Sequence, residues 1–438
     1  MRLQLDASVR RFDGNRVLLG GSPTRLLRLG TTGVHLLDTW LAGTAVDHEP
    51  TARALARRLL DAGIVHPAPE PSADARTVVT LVVPVKNNPP GVARLLAATS
   101  DIPDRIVVDD GSEVPIGGAT IRHDRSRGPA AARNTGWRRA ATPLVAFLDS
   151  DTIPDPGWLT SVVPLFDDPS VAAVAPRIPS LTVGPVGHYE ARRSSLDMGA
   201  EPAAVRPDGR VRYVPSAALV VRARALQAID GFDESLRFGE DVDLVWRLLA
   251  AGYSVRYQPL STVHHEPRGT IAAFLRQRFD YGTSAAPLSQ RHPDLLHPAH
   301  LPAIAAVQGA LAITGCPAAA AIPSVVTIIR TARGLHHRHI PLPTATTLAV
   351  TGQLRLIRQL ADALRRVWWP LALCSRRGRR LLLVAYLAAA AESHRDGSGV
   401  MLRIGDDLAY GLGVWAGCLT HRTVRPLTPR LHRARKSP

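Results

Sequence analysis

Leu144-Val145-Ala146-Phe147-Leu148-Asp149-Ser150-Asp151 is an unbroken apolar run that ends in two carboxylates flanking one small residue. Bounded by Pro143 and Pro154, it reads as a strand buried on both faces, and ligands of open α/β sheets gather at the carboxyl ends of such strands. Two acids one residue apart invite a hard cation. Mg²⁺ or Mn²⁺ takes oxygen ligands, commonly one or two carboxylates completed by substrate phosphates, which suits a nucleotide diphosphate whose departure needs its charge neutralised. Alone, the tripeptide also reads as a solvated turn, so its surroundings decide.

Upstream, residues 78–84 form a first buried strand, the segment to Thr99 a helix, and residues 105–108 a second strand closed by Asp109-Asp110-Gly111-Ser112. Strand, helix, strand in this order implies a parallel, right-handed unit. Residues 128–136, rich in small side chains, form a helix leading into the opening run. Downstream come a strand at 171–176, an irregular polar segment at 180–212 where acceptor-contacting loops belong, and a strand-like run at 214–221. Gly239-Glu240-Asp241-Val242-Asp243 then heads a helix whose first turn favours acids, a role that suits Asp243, and residues 257–266 form a strand ending in His264-His265-Glu266.

Pro84, Asp109-Asp110-Gly111-Ser112, Arg133-Asn134-x-Gly136, Asp149-Ser150-Asp151 and Gly239-Glu240-Asp241, in that order, resemble the motifs of family 2 glycosyltransferases, which have the Rossmann-like GT-A fold. Pro84 closes the first strand beside the nucleotide-sugar site. The resemblance implies that Asp109 and Asp110 contact the base and ribose of a nucleotide sugar, that Arg133 lies near the nucleotide, and that Asp149 and Asp151 hold the metal and diphosphate. It places the catalytic base on Asp241. The chemistry agrees: displacing a diphosphate from an anomeric carbon with inversion needs a hydroxyl made more basic on the opposite face, which one carboxylate does. Glu240 beside it would raise its proton affinity. Family members often place a metal-ligating histidine after a strand like 257–266, and the spacing from Pro259 selects His265 over His264; an indirect or acceptor-loop role is the alternative. Gln277-Arg278-Phe279 departs from the signature of processive synthases.

The flanks are of different character. Residues 1–70 show a hairpin signal at Gly20-Gly21-Ser22-Pro23, a helix with Val34, Leu37 and Leu41, and a second helix from Pro50 stopped by Gly63. They resemble the small winged-helix domain of the PqqD type, which binds peptide precursors; an accessory packing domain is the other reading. Residues 66–72 are a Pro-rich linker. The catalytic domain is expected over 77–285 and a mainly helical, apolar and basic region over 290–438. Residues 301–329 carry no charge and are followed by Arg330, Arg333, His336, His337, Arg338 and His339, so association with the inner, cytoplasmic face of the cell membrane is expected, through an interfacial helix or a transmembrane segment. A helical domain packed on the catalytic one is the alternative.

The 438 residues are 45% hydrophobic, enough for two or three domains with real cores. The net charge of +16 is almost all arginine, since Lys86 and Lys436 are the only lysines, and it follows no nucleic-acid-binding pattern. Cys316, Cys374 and Cys418 lie far apart, which argues against a disulfide framework and for a reducing compartment, and no signal-peptide core opens the chain. The whole layout is similar to the mycofactocin-system branch of the family. That likeness implies an actinobacterial enzyme adding glucose from UDP-glucose to a peptide-derived redox cofactor precursor. Rival readings are a cell-wall or lipid-linked glycan glycosyltransferase, a nucleotidyltransferase with a similar sheet, and a non-catalytic peptide-binding scaffold.

Overall fold

Two small sheets and two helices are built from the first 67 residues. β1 (Leu3–Leu5) pairs antiparallel with β5 (Val65–Pro67), and β2 (Arg10–Phe12), β3 (Val17–Gly20) and β4 (Arg25–Arg28) form a meander. α1 (Thr31–Leu41) and α2 (Pro50–Asp61) follow β4; Glu49 caps α2 by accepting from the Ala52 N–H at 2.8 Å, with Pro50 at the first helical position. Leu18, Leu37, Trp40, Leu59 and Ile64 fill the module's own core, and Asp6 and His66 make a buried pair at 2.8 Å between β1 and β5.

In the computed structural model, which describes residues 1–302 and 317–432, the apolar runs after the linker assemble into one nine-stranded mixed sheet. In chain order its elements are β6 (Val79–Val85), α3 (Pro89–Ala98), β7 (Asp104–Asp109), β8 (Ile121–Arg122), α4 (Pro129–Trp137), β9 (Leu144–Leu148), β10 (Thr152–Pro154), β11 (Val171–Arg177), α5 (Gly184–Arg193), β12 (Ala203–Ala204), β13 (Ala218–Arg222), α6 (Ala223–Ala228), α7 (Glu240–Ala250) and β14 (Ser254–His265). The strand order is β10-β14-β11-β13-β9-β6-β7-β8, with β12 also on β14. β6 pairs parallel with β7 and β9, whereas β13 runs antiparallel between β9 and β11. The polar stretch 180–212, expected to be irregular, contains α5 and β12, and Tyr189 of α5 is buried. β9 is covered on both faces because it is central: all five of its residues are buried.

The chain divides into the units Met1–Arg268 and Gly269–Pro438, so the helix Ile271–Thr283 falls in the second. That unit is mainly helical, with long helices at Pro317–His336, Leu342–Arg366, Arg376–Asp396 and Val400–Thr420. Ile271–Thr283 lies against Val400–Thr420 through facing glycines, and Arg278 pairs with Asp406 at 3.5 Å. Asp407 is buried against Arg365. The transmembrane segment expected at the cytoplasmic face of the membrane is overturned: no described helix is long and apolar enough to cross a membrane. Residues 303–316 and Cys316 lie outside the described residues.

Candidate active site

β9 delivers Asp149 to the sheet edge, where Thr152 closes the turn by donating from its backbone N–H (3.0 Å) and Oγ1 (2.7 Å) to the Asp149 carbonyl. α4 is pressed onto the sheet at Gly136, where an added Cβ would stand 2.3 Å from Val82 Cγ1, so only glycine fits. This approach brings Arg133, 3% exposed, to the end of β9. Its Nη2 donates to Asp149 Oδ1 at 2.7 Å and its Nη1 to Glu240 Oε1 at 2.8 Å. The guanidinium lies over Phe232, which meets Phe147 of β9 edge-on at 5.2 Å. Burial by itself would lower the pKa of Arg133; Asp149 and Glu240 outweigh it and raise it. Asn134, also buried, uses both ends of its amide to tie α4 to Phe232 and Trp137.

Gly239, in the left-handed region at φ 79°, turns the chain into α7 and sets Glu240, Asp241 and Asp243 in the first helical turn. Asp241 accepts from the Val242 N–H at 2.8 Å and the Ser216 N–H at 3.4 Å. Burial raises its pKa, against the pull of the Val242 N–H and of Arg133, so the carboxyl holds protons more strongly than usual. Burial, and then Asp241, push Glu240 up to about 7, while Arg133 restrains it. Asp243 lies in the first turn of α7, as expected of an acid there, and also accepts from Arg247 Nε at 2.6 Å, while Arg247 donates to the carbonyls of Ile229 and Gly231.

Across the turn, His265 is paired in register with Thr152, and its Nε2 lies 3.5 Å from Asp151 Oδ2. Arg268 approaches the same oxygen at 3.5 Å. His264 faces Asp155 at 3.2 Å. Burial would lower the pKa of His265, but the contact with Asp151 raises it. Asp151 and His265 therefore lie together, while Asp149 is turned to Arg133, and among the described residues no three metal-ligating side chains gather. The donor set suits a divalent cation: Asp151 Oδ2 and His265 Nε2 stand 3.5 Å apart, as neighbouring ligands do, and substrate phosphates commonly complete such sites.

Pro84 lies buried in β6, paired with Val108. Asp109 accepts from the Ser112 N–H (2.9 Å), the Ile116 N–H (3.2 Å) and Arg122. Asp110 accepts from the N–H groups of Arg127 (2.8 Å) and Gly128 (2.9 Å) and from Ser126 Oγ (2.8 Å), and meets His123 Nδ1 at 2.8 Å. Three contributors had escaped the sequence reading. His123, a lone histidine without a motif, joins Asp110 to Thr135 of α4. Asn88 donates to the carbonyl and hydroxyl of Ser150 at 3.2 and 3.1 Å; its place before Pro89-Pro90 signals a helix cap, and nothing in the sequence points to the second contact. Ser216 acts through its backbone, which carries no residue signal.

The glycosyl transferase family 2 model matches residues 80–222. The chain is 40% identical over 462 aligned positions to the pre-mycofactocin glycosyltransferase of Mycobacterium tuberculosis (strain CDC 1551 / Oshkosh), covering 98% of this chain and 97% of that protein. It is 29% identical to the succinoglycan biosynthesis protein ExoU of Rhizobium meliloti (strain 1021), over 41% of this chain and 59% of that one. Among solved structures, the Pyrobaculum calidifontis mannosyltransferase PcManGT, in complex with GDP-Man and Mn²⁺, covers 83% of this chain and 92% of its own at 19% identity and a TM-score of 0.46. The family match and the relative that spans nearly the whole chain make this a glycosyltransferase, and its mixed sheet is of GT-A type. The chain belongs to glycosyltransferase family 2.

Proposed function

We propose that this enzyme transfers glucose from UDP-glucose, with inversion, onto the peptide-derived cofactor precursor premycofactocin, and that repeated transfer builds a short β-linked oligosaccharide. The relative from Mycobacterium tuberculosis supports the acceptor class, since the likeness runs through nearly the whole of both chains. The observation that carries the chemistry is the position of Asp241: a carboxylate of raised proton affinity held by the Val242 and Ser216 N–H groups, next to Glu240, which Arg133 joins to the acid at the end of β9.

In this reading Asp241 takes the proton of an acceptor hydroxyl as its oxygen bonds to the anomeric carbon, and the bond from that carbon to the diphosphate oxygen breaks, releasing UDP. Pro84, Asp109 and Asp110 border the base and ribose. Arg133 orients Asp149 and offsets phosphate charge beside it. Mg²⁺ or Mn²⁺, when bound at Asp151 and His265 with Asp149 near by, supplies charge neutralisation for the leaving diphosphate. The first 70 residues, read as a PqqD-like module, would hold the peptide part of the acceptor, with 77–285 as the transferase domain. The test is to incubate the full chain with UDP-glucose, GDP-mannose and UDP-galactose, Mn²⁺ and the peptide-derived acceptor, following nucleotide release and acceptor mass. UDP release coupled to mass gains of one hexose or more is expected from UDP-glucose. No mass gain with any donor overturns the reading, and pyrophosphate release points to nucleotidyl transfer.

A further inference from the structure

At the far end of β14 from the active site lies a charged cluster that the transfer reaction does not use. Arg256 is 3% exposed, and its Nε and Nη1 are buried without a hydrogen-bond partner. Arg206 has a buried Nε that is likewise unpartnered. The register puts the two on one sheet face: Ala204 of β12 pairs with Arg256, and Arg206 follows two residues on, as its diagonal neighbour. Ser254, two residues before Arg256 and so on the same face, meets Ser170 Oγ at 3.2 Å.

The N-terminal module closes over this face. Arg57 of α2 donates to Asp168 (3.1 Å) and Ser170 Oγ (2.7 Å) and pairs with Asp61 at 3.1 Å, while Arg206 reaches Asp61 at 3.6 Å. Four guanidinium groups, Arg57, Arg206, Arg222 and Arg256, lie among three carboxylates, Asp61, Asp167 and Asp168, which leaves one positive charge. Asp61 and Asp168 are already engaged by Arg57 and Arg206. Burying an unpaired guanidinium is costly, and water can satisfy its N–H groups but not its charge.

We propose that Arg256 and Arg206 bind one small carboxylate anion at the seam between the N-terminal module and the transferase sheet. A carboxylate matches the guanidinium fork and carries the single negative charge the cluster lacks. Nine residues separate Arg256 from His265 along β14, roughly 25–30 Å, so this anion is not the donor diphosphate. Burial, chiefly, lowers Arg256 to about 10, and a bound anion would reverse that.

The test uses the full chain in low-salt buffer, with sodium acetate as the probe and sodium chloride at matched ionic strength as the control. Acetate is expected to raise Tm saturably, by about 2–5 °C, and to slow amide exchange in peptides covering 50–61 and 203–211. Arg256→Gln should abolish both responses. Should that variant not fold, Arg206→Gln, whose side chain is a third exposed, should weaken the acetate response several-fold. Equal responses to acetate and chloride, or an acetate response that survives either substitution unchanged, overturn the proposal.

Discussion

Two strands of this sheet end in acids, and the two ends differ in who holds them. At the end of β7, Asp109 and Asp110 are gripped largely by backbone: the N–H groups of Ser112, Ile116, Arg127 and Gly128 all donate to them. Burial would raise both pKa values, yet these bonds, with those from the Ser112 and Arg122 side chains to Asp109 and from the His123 and Ser126 side chains to Asp110, bring both below the ordinary carboxylate range. At the end of β9, Asp149 and Asp151 are held by the side chains of Arg133, His265 and Arg268. Backbone donors cannot leave without unmaking the turn, whereas side chains can exchange a carboxylate for a phosphate or share it with a cation. An ionised carboxylate offers about four acceptor positions. Asp110 has four partners, so contact with a nucleotide would require one of them to yield.

The contrast breaks first at Asp110. Asp110→Ala leaves two backbone N–H groups, a hydroxyl and an imidazole without their acceptor, at about 1–3 kcal/mol each, a sum comparable to a whole domain's stability. Little folded protein is expected, and a melting temperature within a few degrees of wild type would show that the turn does not depend on it. Asp241→Asn keeps size and shape but cannot accept a proton, so turnover should fall about 10² to 10⁴-fold with donor affinity nearly unchanged. Calorimetry of donor binding beside single-turnover transfer separates this from a nucleotide-binding role, which would show as lost affinity.

Asp151→Ala should cost about 1–3 kcal/mol of stability, because it leaves the buried His265 without its carboxylate partner while the exposed Arg268 turns to water, and transfer at limiting Mn²⁺ should fall at least about tenfold. Chelation by EDTA should mimic it in the wild type. Full activity of the variant at limiting Mn²⁺ would erase the distinction between the two acidic ends. The smallest effect is on pH dependence. Asp241 works only when ionised, and burial raises its folded pKa, so turnover should climb as pH rises through the neutral range where the Glu240–Asp241 pair, with Glu240 near 7, loses its protons. Glu240→Gln removes the like charge and should shift this limb toward lower pH by about one unit. A pH–rate profile unchanged by the substitution would uncouple the two acids.

Much of this arrangement was legible beforehand. Central strands announce themselves as unbroken apolar runs, and acids at their ends are informative because a buried strand has nowhere to put a charge except its edge; β6, β7 and β9 were found in this way. The glycosyltransferase class followed from the order of motifs. Positions that work through one long-range partner were not legible. Arg247 lies four residues after Asp243, a pair a local reading allows, but that it also donates to the carbonyls of Ile229 and Gly231 depends on a loop that only folding brings close. Asn88, Ser216 and His123 act across 62, 25 and 13 residues of chain, which no local pattern encodes.

By itself, then, the order of residues determined the strands, the acidic edge and the class of chemistry, since hydrophobic period and local charge are properties of short segments. Tertiary structure decided which acid is tied to backbone and which to side chains, through the register of β14 against β10 and the close approach of α4 at Gly136. It also decided that Arg133 bridges Asp149 and Glu240, 91 residues apart in sequence, because a guanidinium buried where water cannot reach it needs carboxylates to offset its charge.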